Sequence, residues 1–292
     1  MLKKNAMPYL YIAPTVILMA VLLVVPIFNV IRYSFYDNAF VVKNPAFVGW
    51  TNYQKILADP VFWKSIRETA FFVVVSIIGH MIIALIFAHL LNANCFKQKT
   101  KTVARVVYIL PWIFTATVVA VMWKLIFQPA GVMNYLLGFV GLATKNTEWF
   151  SNKDIALYVV TYINLWSGYP FYMISVLAGL QGISPDLYES SAIDGATSFK
   201  SFCYITIPQL KPILLSLVML DFVWTLKTFA IVWTLTAGGP MHATEIISVY
   251  IYRTAFMENH FSLASAAAVF LLIVCMIVAL FYTRQQFRIQ ED

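Results

Sequence analysis

Six long apolar runs constrain the fold of this chain more than any other feature of its sequence. Each run is about 20 residues or longer, the length that a helix needs to cross the hydrocarbon core of a bilayer. Their apolar residues are continuous, whereas a membrane β-barrel requires alternation, so the sequence predicts an all-α membrane protein with six transmembrane helices. The runs lie near 8–31, 69–91, 103–127, 155–178, 213–236 and 262–283.

The residue composition fits a membrane protein. Hydrophobic residues make up 61% of the chain and charged residues 11%, whereas soluble domains carry about 25% charged residues. The net charge is +7, but the Lys and Arg residues lie in short loops beside the apolar runs, a placement that indicates membrane topology and argues against nucleic-acid binding. Because the runs occupy nearly all of residues 1–292, the sequence predicts a single transmembrane domain.

The loop between the second and third runs predicts the orientation of the chain. It carries four cations and no acid: Lys97, Lys99, Lys101 and Arg105. Short cation-rich loops stay on the cytoplasmic side, which places both termini there, with Lys3, Lys4 and Arg288. The first run is too long for a signal-peptide core and lacks a small-residue cleavage site, so it is predicted to remain as the first span.

The sequence contains no recognisable catalytic or metal-binding motif. Cys95, Cys203 and Cys275 have no CxxC spacing, and His80 and His89 are nine residues apart, which favours packing over shared metal ligation. Zinc-protease and serine-hydrolase motifs are absent, as is the glycine-rich loop that holds ATP phosphates. The sequence therefore predicts no catalytic residue, no metal site and no cofactor bound by this chain.

A long polar loop at 184–212 follows the fourth run. Ser184 and Pro185 favour the start of a helix, with serine as the cap and proline in the first turn. Gly195 tolerates a positive φ and so predicts a turn, after which Ser198 is the predicted cap of a second short helix. The pattern predicts a cytoplasmic helix–turn–helix.

The order of residues in this loop closely resembles the coupling loop of permease subunits in bacterial ABC importers. That motif is summarised as Glu-Ala-Ala, three residues, Gly, nine residues, Ile, one residue and Leu-Pro. The positions of this chain that correspond to it are Glu189, Ser190, Ser191, Gly195, Ile205, Ile207 and Pro208. Two serines replace the alanines and an isoleucine replaces the leucine, changes that keep small residues small and an aliphatic residue aliphatic.

Other segments resemble the carbohydrate-uptake branch of the same family, in subunits of the maltose-F or glycerol-phosphate-A type. They lie at 47–53, 110–112, 165–170, 177–181 and 235–240, so the resemblance covers almost the whole chain. One departure bears on which solute the path accepts. This branch often has Asp directly after the position of Phe229, where this chain has Ala230.

The resemblance implies a permease subunit that forms the path of an ABC importer for a sugar or sugar-like solute. The partners it implies are a second, homologous permease, a dimer of ABC ATPases that bind ATP and Mg²⁺, and an extracytoplasmic solute-binding protein, in a bacterial plasma (inner) membrane. The loop residues it implies for ATPase coupling are Glu189, Ala192, Asp194, Gly195, Phe199 and Pro208. An ordinary amphipathic cytoplasmic loop is the alternative.

Polar and aromatic residues inside the apolar runs predict where a solute passes, because polar side chains within spans are costly and usually face an interior path. One face of the fifth run combines a carboxylate with an aromatic ring, the groups that bind sugars. Its residues, spaced at i, i+3, i+4 and i+7, are Asp221, Trp224, Thr225 and Thr228. The further candidates are Asn164, Tyr169 and Trp123.

Structural roles remain open for these residues. Asp221 is also typical of a hydrogen bond between helices within a permease dimer, and Trp123 of an interfacial anchor. Gly168 and Pro170 predict a kink in the fourth span beside a cavity or another helix.

A second functional class also remains open at this stage. It is a secondary transporter driven by an ion gradient, with Asp221 as its coupling carboxylate. An intramembrane enzyme has no residue set to support it. Mono-, di- and oligosaccharides, polyols and glycerol phosphate all fit the sequence, and the few cations within the spans disfavour a highly charged ligand.

Overall fold

The computed structural model describes residues 2–93, 96–141 and 147–291, with side chains described for 9, 11–93, 96–141 and 147–284. Cys95, and the side chains of Lys3, Lys4 and Arg288, fall outside these ranges. The described residues form fourteen α-helices, three π-helical segments and no β-strand, so the prediction of an all-α protein is confirmed.

The α-helices are α1 (Leu2–Met19), α2 (Val25–Tyr33), α3 (Thr51–Ala58), α4 (Pro60–Asn92), α5 (Gln98–Ile113), α6 (Ala116–Ile126), α7 (Val132–Phe139), α8 (Ala156–Gln181), α9 (Pro185–Ile193), α10 (Ser198–Ser201), α11 (Ile207–Leu226), α12 (Ala230–Thr236), α13 (Ile247–Tyr252) and α14 (Phe261–Glu291). The π-helical segments are Ala20–Val24, Phe202–Thr206 and Arg253–Met257.

Four helical stretches among the described residues are long and apolar enough to cross a membrane. They are Tyr11–Tyr33, Pro60–Asn92, Ser198–Leu226 and Phe261–Arg284. These stretches overlap the first, second, fifth and sixth predicted spans. The stretch at Ser198–Leu226 begins inside the predicted polar loop at 184–212 and ends before the predicted limit at 236. The chain is therefore a multi-pass membrane protein.

The third predicted span is bent. Helices α5 and α6 together satisfy the same test but meet at 97°, which gives five spans when the pair counts as one. Phe114 is extended at the break, with φ −73° and ψ 143°. The Thr115 side chain then starts α6 by accepting a hydrogen bond from the Val118 amide at 3.4 Å. The hydropathy of the sequence predicts the apolar run, but it does not predict this bend.

The fourth and fifth predicted spans also differ from uniform apolar helices. Helix α8 covers the fourth run with 26 residues, but it is not among the four stretches that pass the length and apolarity test. The fifth run breaks after Leu226 and resumes as α12 at Ala230. Six spans are thus not confirmed by length and apolarity, and the number stays a prediction.

One compact unit comprises Met1–Trp63 and Tyr250–Met276. One buried polar contact of this unit is made by Asn52, which is 2% exposed and lies in the first turn of α3. The Asn52 side-chain amide donates to the backbone oxygens of Ser34 and Tyr36, each at 2.9 Å. Both oxygens lie past the end of α2, where helix carbonyls need other donors. Asn52 therefore fixes the chain reversal between α2 and α3.

Aromatic side chains complete the interior of this unit. Phe62 is fully buried, and its ring meets the edges of Tyr250 and Phe270 at 5.6 and 5.4 Å. The Tyr250 hydroxyl donates to a carboxylate oxygen of Asp59 at 2.7 Å. Burial, helped by the hydrogen bond to Asp59, raises the pKa of Tyr250 above its usual range. The phenol therefore stays a donor at physiological pH.

The second unit comprises Lys64–Val249 and Ile277–Asp292. It contains two apolar cores. One core joins α6, α8 and α12 around Val119, Val160 and Val232, and the other joins α4, α8 and α11 around Ala88 and Leu210. Helix α8 takes part in both cores and is apolar on most of its surface, as expected for a helix surrounded by protein. It is the central helix of this unit.

The Asn52 contact yields a prediction about stability. Replacing Asn52 by Ala leaves two buried carbonyls without their donor, so the free energy of unfolding should fall by about 2 kcal/mol. Thermal unfolding of the detergent-solubilised protein, followed by its monodisperse fraction, should show a Tm several degrees lower. The control is Gln54→Ala, which removes an exposed amide from the same helix and should leave Tm unchanged. Equal Tm values for the two variants would contradict the role of Asn52.

Candidate functional site

The polar loop after α8 contains two short helices, α9 and α10. Helix α9 begins at Pro185 with Ser184 before it, as predicted, but the Ser184 side chain makes no capping hydrogen bond. The predicted cap of α10 was wrong by one residue, because the Thr197 side chain, and not Ser198, accepts from the Lys200 amide at 3.4 Å. Threonine at this position has the extended backbone that a cap requires.

Gly195 makes the turn between these helices. Its φ is +74°, in the left-handed region, where residues with a Cβ are strained. The Ala196 amide donates to the Ser191 oxygen at 2.9 Å, and the Gly195 amide donates to the Ala192 oxygen at 3.1 Å. This pair of bonds is the Schellman arrangement that ends a helix with glycine. The backbone role predicted for Gly195 is present.

Side-chain hydrogen bonds tie α9 to the segment that follows it. The Tyr188 hydroxyl lies 2.9 Å from the Thr206 hydroxyl, and the Ser191 hydroxyl lies 3.1 Å from that of Ser201. The sequence analysis did not predict these pairs. The serine that replaces the family's alanine at 191 was the sequence feature that could have indicated a hydrogen bond here. They hold the two arms of the loop together.

The apolar side chains of this loop are exposed. Phe199, predicted as a contact for an ATPase, is 75% exposed, and Ile193 and Tyr204 are 87% and 80% exposed. The other predicted coupling residues are exposed as well: Glu189, Ala192, Asp194, Gly195 and Pro208. Large apolar side chains exposed on a polar loop are typical of a surface that binds another protein.

Asp221 lies at the centre of a buried polar cluster on α11. It is 0% exposed, and its two carboxylate oxygens have separate partners. Thr225 donates its hydroxyl to Oδ1 at 2.8 Å, and His80 of α4 places Nδ1 2.8 Å from Oδ2. Asp221 and Thr225 are thus brought together as their i, i+4 spacing predicts. A hydrogen bond between helices is thus present at Asp221 within this chain, whereas the alternative of such a bond within a permease dimer stays a prediction.

His80 contacts two other helices through its ring nitrogens. Its Nε2 atom lies 3.3 Å from the backbone oxygen of Asn164, while Nδ1 lies 2.8 Å from Oδ2 of Asp221. The side chains of His80 and Asp221 are 3% and 1% exposed, so their contact is buried. His80 was predicted to pack, and its polar role was missed.

Gly168 and Tyr172 of α8 hold the His80 ring in place. The Tyr172 ring stacks on it with centroids 4.8 Å apart and planes 20° apart. A Cβ at position 168 would lie 2.5 Å from His80 Nε2, so only glycine leaves room for the ring. His80 thus links α4, α8 and α11.

A cavity of about 560 Å³ opens where the helices of this unit break. We term it the helix-break cavity. Four aromatic rings line it, together with an amide, two hydroxyls, one ammonium group and five small or aliphatic residues. Its lining residues are Trp112, Phe114, Ala116, Val119, Asn164, Ser167, Gly168, Trp224, Lys227, Thr228, Phe229, Ala230 and Ile231.

The predicted path residues divide into three groups. Asn164, Trp224 and Thr228 line the helix-break cavity. Asp221 and Thr225 are buried. The prediction that Thr228 lies on the same helical face as these residues is wrong, because α11 ends at Leu226. The third group comprises Tyr169, buried against Phe87, and Trp123, stacked on Phe127. Neither ring of that group lines the cavity, and a path role for both stays a prediction.

The cavity also contains residues that sequence reasoning missed or left aside. Trp112 and Phe114 come from the α5–α6 bend, and Lys227 comes from the break after α11. The only sequence feature that pointed to these three residues was a proline or a lysine inside an apolar run. Among the described residues, no cluster of three His, Cys, Asp or Glu side chains could hold a metal ion.

Comparison with known proteins identifies the family. The family model described as the inner membrane component of binding-protein-dependent transport systems matches residues 81–291. A probable ABC transporter permease protein of Pyrococcus horikoshii is 31% identical over 295 residues, covering 100% of both chains. The trehalose/maltose transport system permease protein MalF of Thermococcus litoralis is 30% identical, covering 97% of this chain and 94% of its own.

A solved structure has the same fold. It is a bacterial ABC transporter involved in the import of the acidic polysaccharide alginate, with a TM-score of 0.84. The two chains are 23% identical, and the match covers 98% of this chain and 97% of the other. The family match and the full-length relatives show that this chain belongs to the inner membrane components of binding-protein-dependent transport systems and is a permease of the ABC importers.

Proposed function

We propose that this permease forms part of the path for a sugar or sugar-like solute. The observation that supports the proposal best is the lining of the helix-break cavity, which joins four aromatic rings to neutral hydrogen-bonding groups. Sugars present C–H faces that pack on aromatic rings and hydroxyls that bond to amides and hydroxyls. The MalF relative, named for trehalose and maltose transport, points the same way.

The loop at 184–212 is proposed to couple this path to an ATPase dimer. A rigid protrusion with exposed apolar side chains is what a soluble partner needs in order to move a membrane protein. The Gly195 turn and the two hydroxyl pairs supply the rigidity, and Phe199 supplies an exposed anchor. Glu189, at the other arm, would add a polar contact.

The proposed assembly contains this chain, a second and homologous permease, two ATPase subunits and an extracytoplasmic solute-binding protein. The solved neighbour in complex with a periplasmic protein supports partners of these kinds. In this arrangement ATP and Mg²⁺ bind to the ATPases, and this chain is a non-catalytic subunit without a cofactor. We place it in a bacterial plasma membrane as one domain over 1–292, with six spans and both termini in the cytoplasm.

Transport in this proposal follows from motion of the loop. Closure of the ATPase dimer shifts α9 and α10, and α11 transmits the shift toward the helix-break cavity, which then opens alternately to the two sides. The surroundings of Asp221 favour this mechanism over coupling to an ion gradient. Each of its carboxylate oxygens has a hydrogen-bond partner, and the residue is fully buried. Its proposed role is to position the cavity wall through His80 and Asn164.

The coupling role predicts a loss of ATPase binding in loop variants. Phe199→Ala removes an exposed anchor, and Gly195→Pro cannot adopt φ +74°, so each should lower the copurified ATPase about 30-fold while the two permeases stay together. Glu189→Arg should reduce solute-stimulated ATP hydrolysis in the same preparation.

The matched control for these variants is Phe139→Ala. Phe139 is 88% exposed on α7, so its removal tests the loss of an exposed aromatic outside the loop. This control should copurify with wild-type amounts of ATPase. Wild-type recovery and stimulation in all three loop variants would mean that the loop is only a connector.

The buried contact between His80 and Asp221 predicts an asymmetric response to substitution. Asp221→Asn removes a carboxylate oxygen that His80 or Thr225 contacts inside the protein, so the free energy of unfolding should fall by about 2 kcal/mol. The double variant His80→Phe/Asp221→Leu removes both polar side chains and should regain most of that loss. Thermal unfolding of the assembled transporter measures the stability of both variants. A wild-type Tm for Asp221→Asn alone would show that the carboxylate contributes nothing to stability.

A further inference from the structure

Lys227 is the charged side chain in the lining of the helix-break cavity. It follows the last residue of α11 and lies inside the apolar run at 213–236. Its side chain is exposed in the described chain. The groups around the cavity are otherwise aromatic, aliphatic, hydroxyl or amide, and no carboxylate is among them. The cavity therefore has a single formal positive charge.

No protein acid balances this charge within the described residues. Asp221 is the acid of α11, and its two oxygens already bind His80 and Thr225. Lys227 takes part in no ion pair or hydrogen bond of its side chain in the part of the chain that the structure describes. Its charge remains available to a ligand.

Lys227 directly follows the membrane-capable stretch Ser198–Leu226 and lies inside the predicted fifth run. Charged side chains within such runs are rare and costly, and those present pair with one another or mark a path for solutes. An unpaired lysine in a cavity of this size creates a positive field that concentrates anions there. Aromatic walls beside it, Trp112 and Trp224 among them, suit the C–H faces of a sugar ring.

We infer that the helix-break cavity binds sugars that carry one anionic group, a carboxylate or a phosphate, and that Lys227 is the residue that recognises the anion. The inference rests on the proposed function and narrows its substrate class. Lysine presents a compact charge with three donors, which suits either anion. Asn164, Ser167 and Thr228 bind the hydroxyls of the same sugar.

The test compares matched sugars on the assembled transporter. The complex of both permeases and the ATPases, in nanodiscs without nucleotide or solute-binding protein, is titrated with radiolabelled glucose, glucuronate and glucose 6-phosphate. Wild type should bind at least one anionic sugar about 10-fold more tightly than glucose, as expected for a hydrogen bond to a charged group. A preference between the two anions identifies carboxylate or phosphate as the recognised group.

Variants then assign the preference to Lys227. The ratio of dissociation constants should fall to about one in Lys227→Gln and remain near 10 in Lys227→Arg, which keeps the charge. The matched control is Lys124→Gln, since Lys124 bonds to the Thr234 oxygen at 3.4 Å and does not line the cavity. This control should keep the wild-type ratio. Rising salt should reduce the wild-type preference.

Three results would overturn the inference. The first is a ratio of dissociation constants near one in wild type, and the second is an unchanged ratio in Lys227→Gln. The third is dissociation of the permease pair in Lys227→Gln, which would show that the lysine pairs with a carboxylate of the partner permease. None of these results depends on ATPase coupling, which the loop variants measure separately. Failure of the Lys227 assignment is therefore distinguishable from failure of the proposed transport function.

Discussion

The need to satisfy every backbone hydrogen bond inside a bilayer is the constraint on which this structure depends. A helix meets that need along its length, and an interruption is tolerated only beside a cavity or other protein. The interruptions at Phe114 and after Leu226 obey this rule, because residues from both breaks line the helix-break cavity. Two breaks from separate helices therefore meet at one cavity of the second unit.

The buried contact between His80 and Asp221 organises the wall of that cavity, because it joins α4 to α11 with Nδ1 2.8 Å from Oδ2. The same histidine ring adjoins Asn164 and Gly168 of α8, and both of these residues line the cavity. A change at His80 or Asp221 therefore alters the cavity wall, although neither side chain lines the cavity.

Hydropathy and loop chemistry predicted the helical class, the loop with its Gly195 turn, and the polar stripe around Asp221. These features are local, since they follow from run length, a left-handed glycine or spacing along one helix. The partner of Asp221 was missed because His80 is 141 residues away in the chain, and no spacing rule joins them. The bend between α5 and α6 was missed for a related reason, because a capping threonine inside an apolar run looks like any other small residue.

The close fit between Gly168 and the His80 ring has a consequence for how such chains diverge. A methyl group at 168 would collide with the imidazole, and the stacked Tyr172 ring blocks one direction of escape. Positions 80 and 168 are therefore not independent. A side chain gained at 168 requires a smaller residue at 80, and a smaller residue there removes the ring nitrogen that faces Asp221. In homologous permeases whose sequences have diverged, positions 80, 168 and 221 should change together. A permease with a change at only one of these positions should be rare.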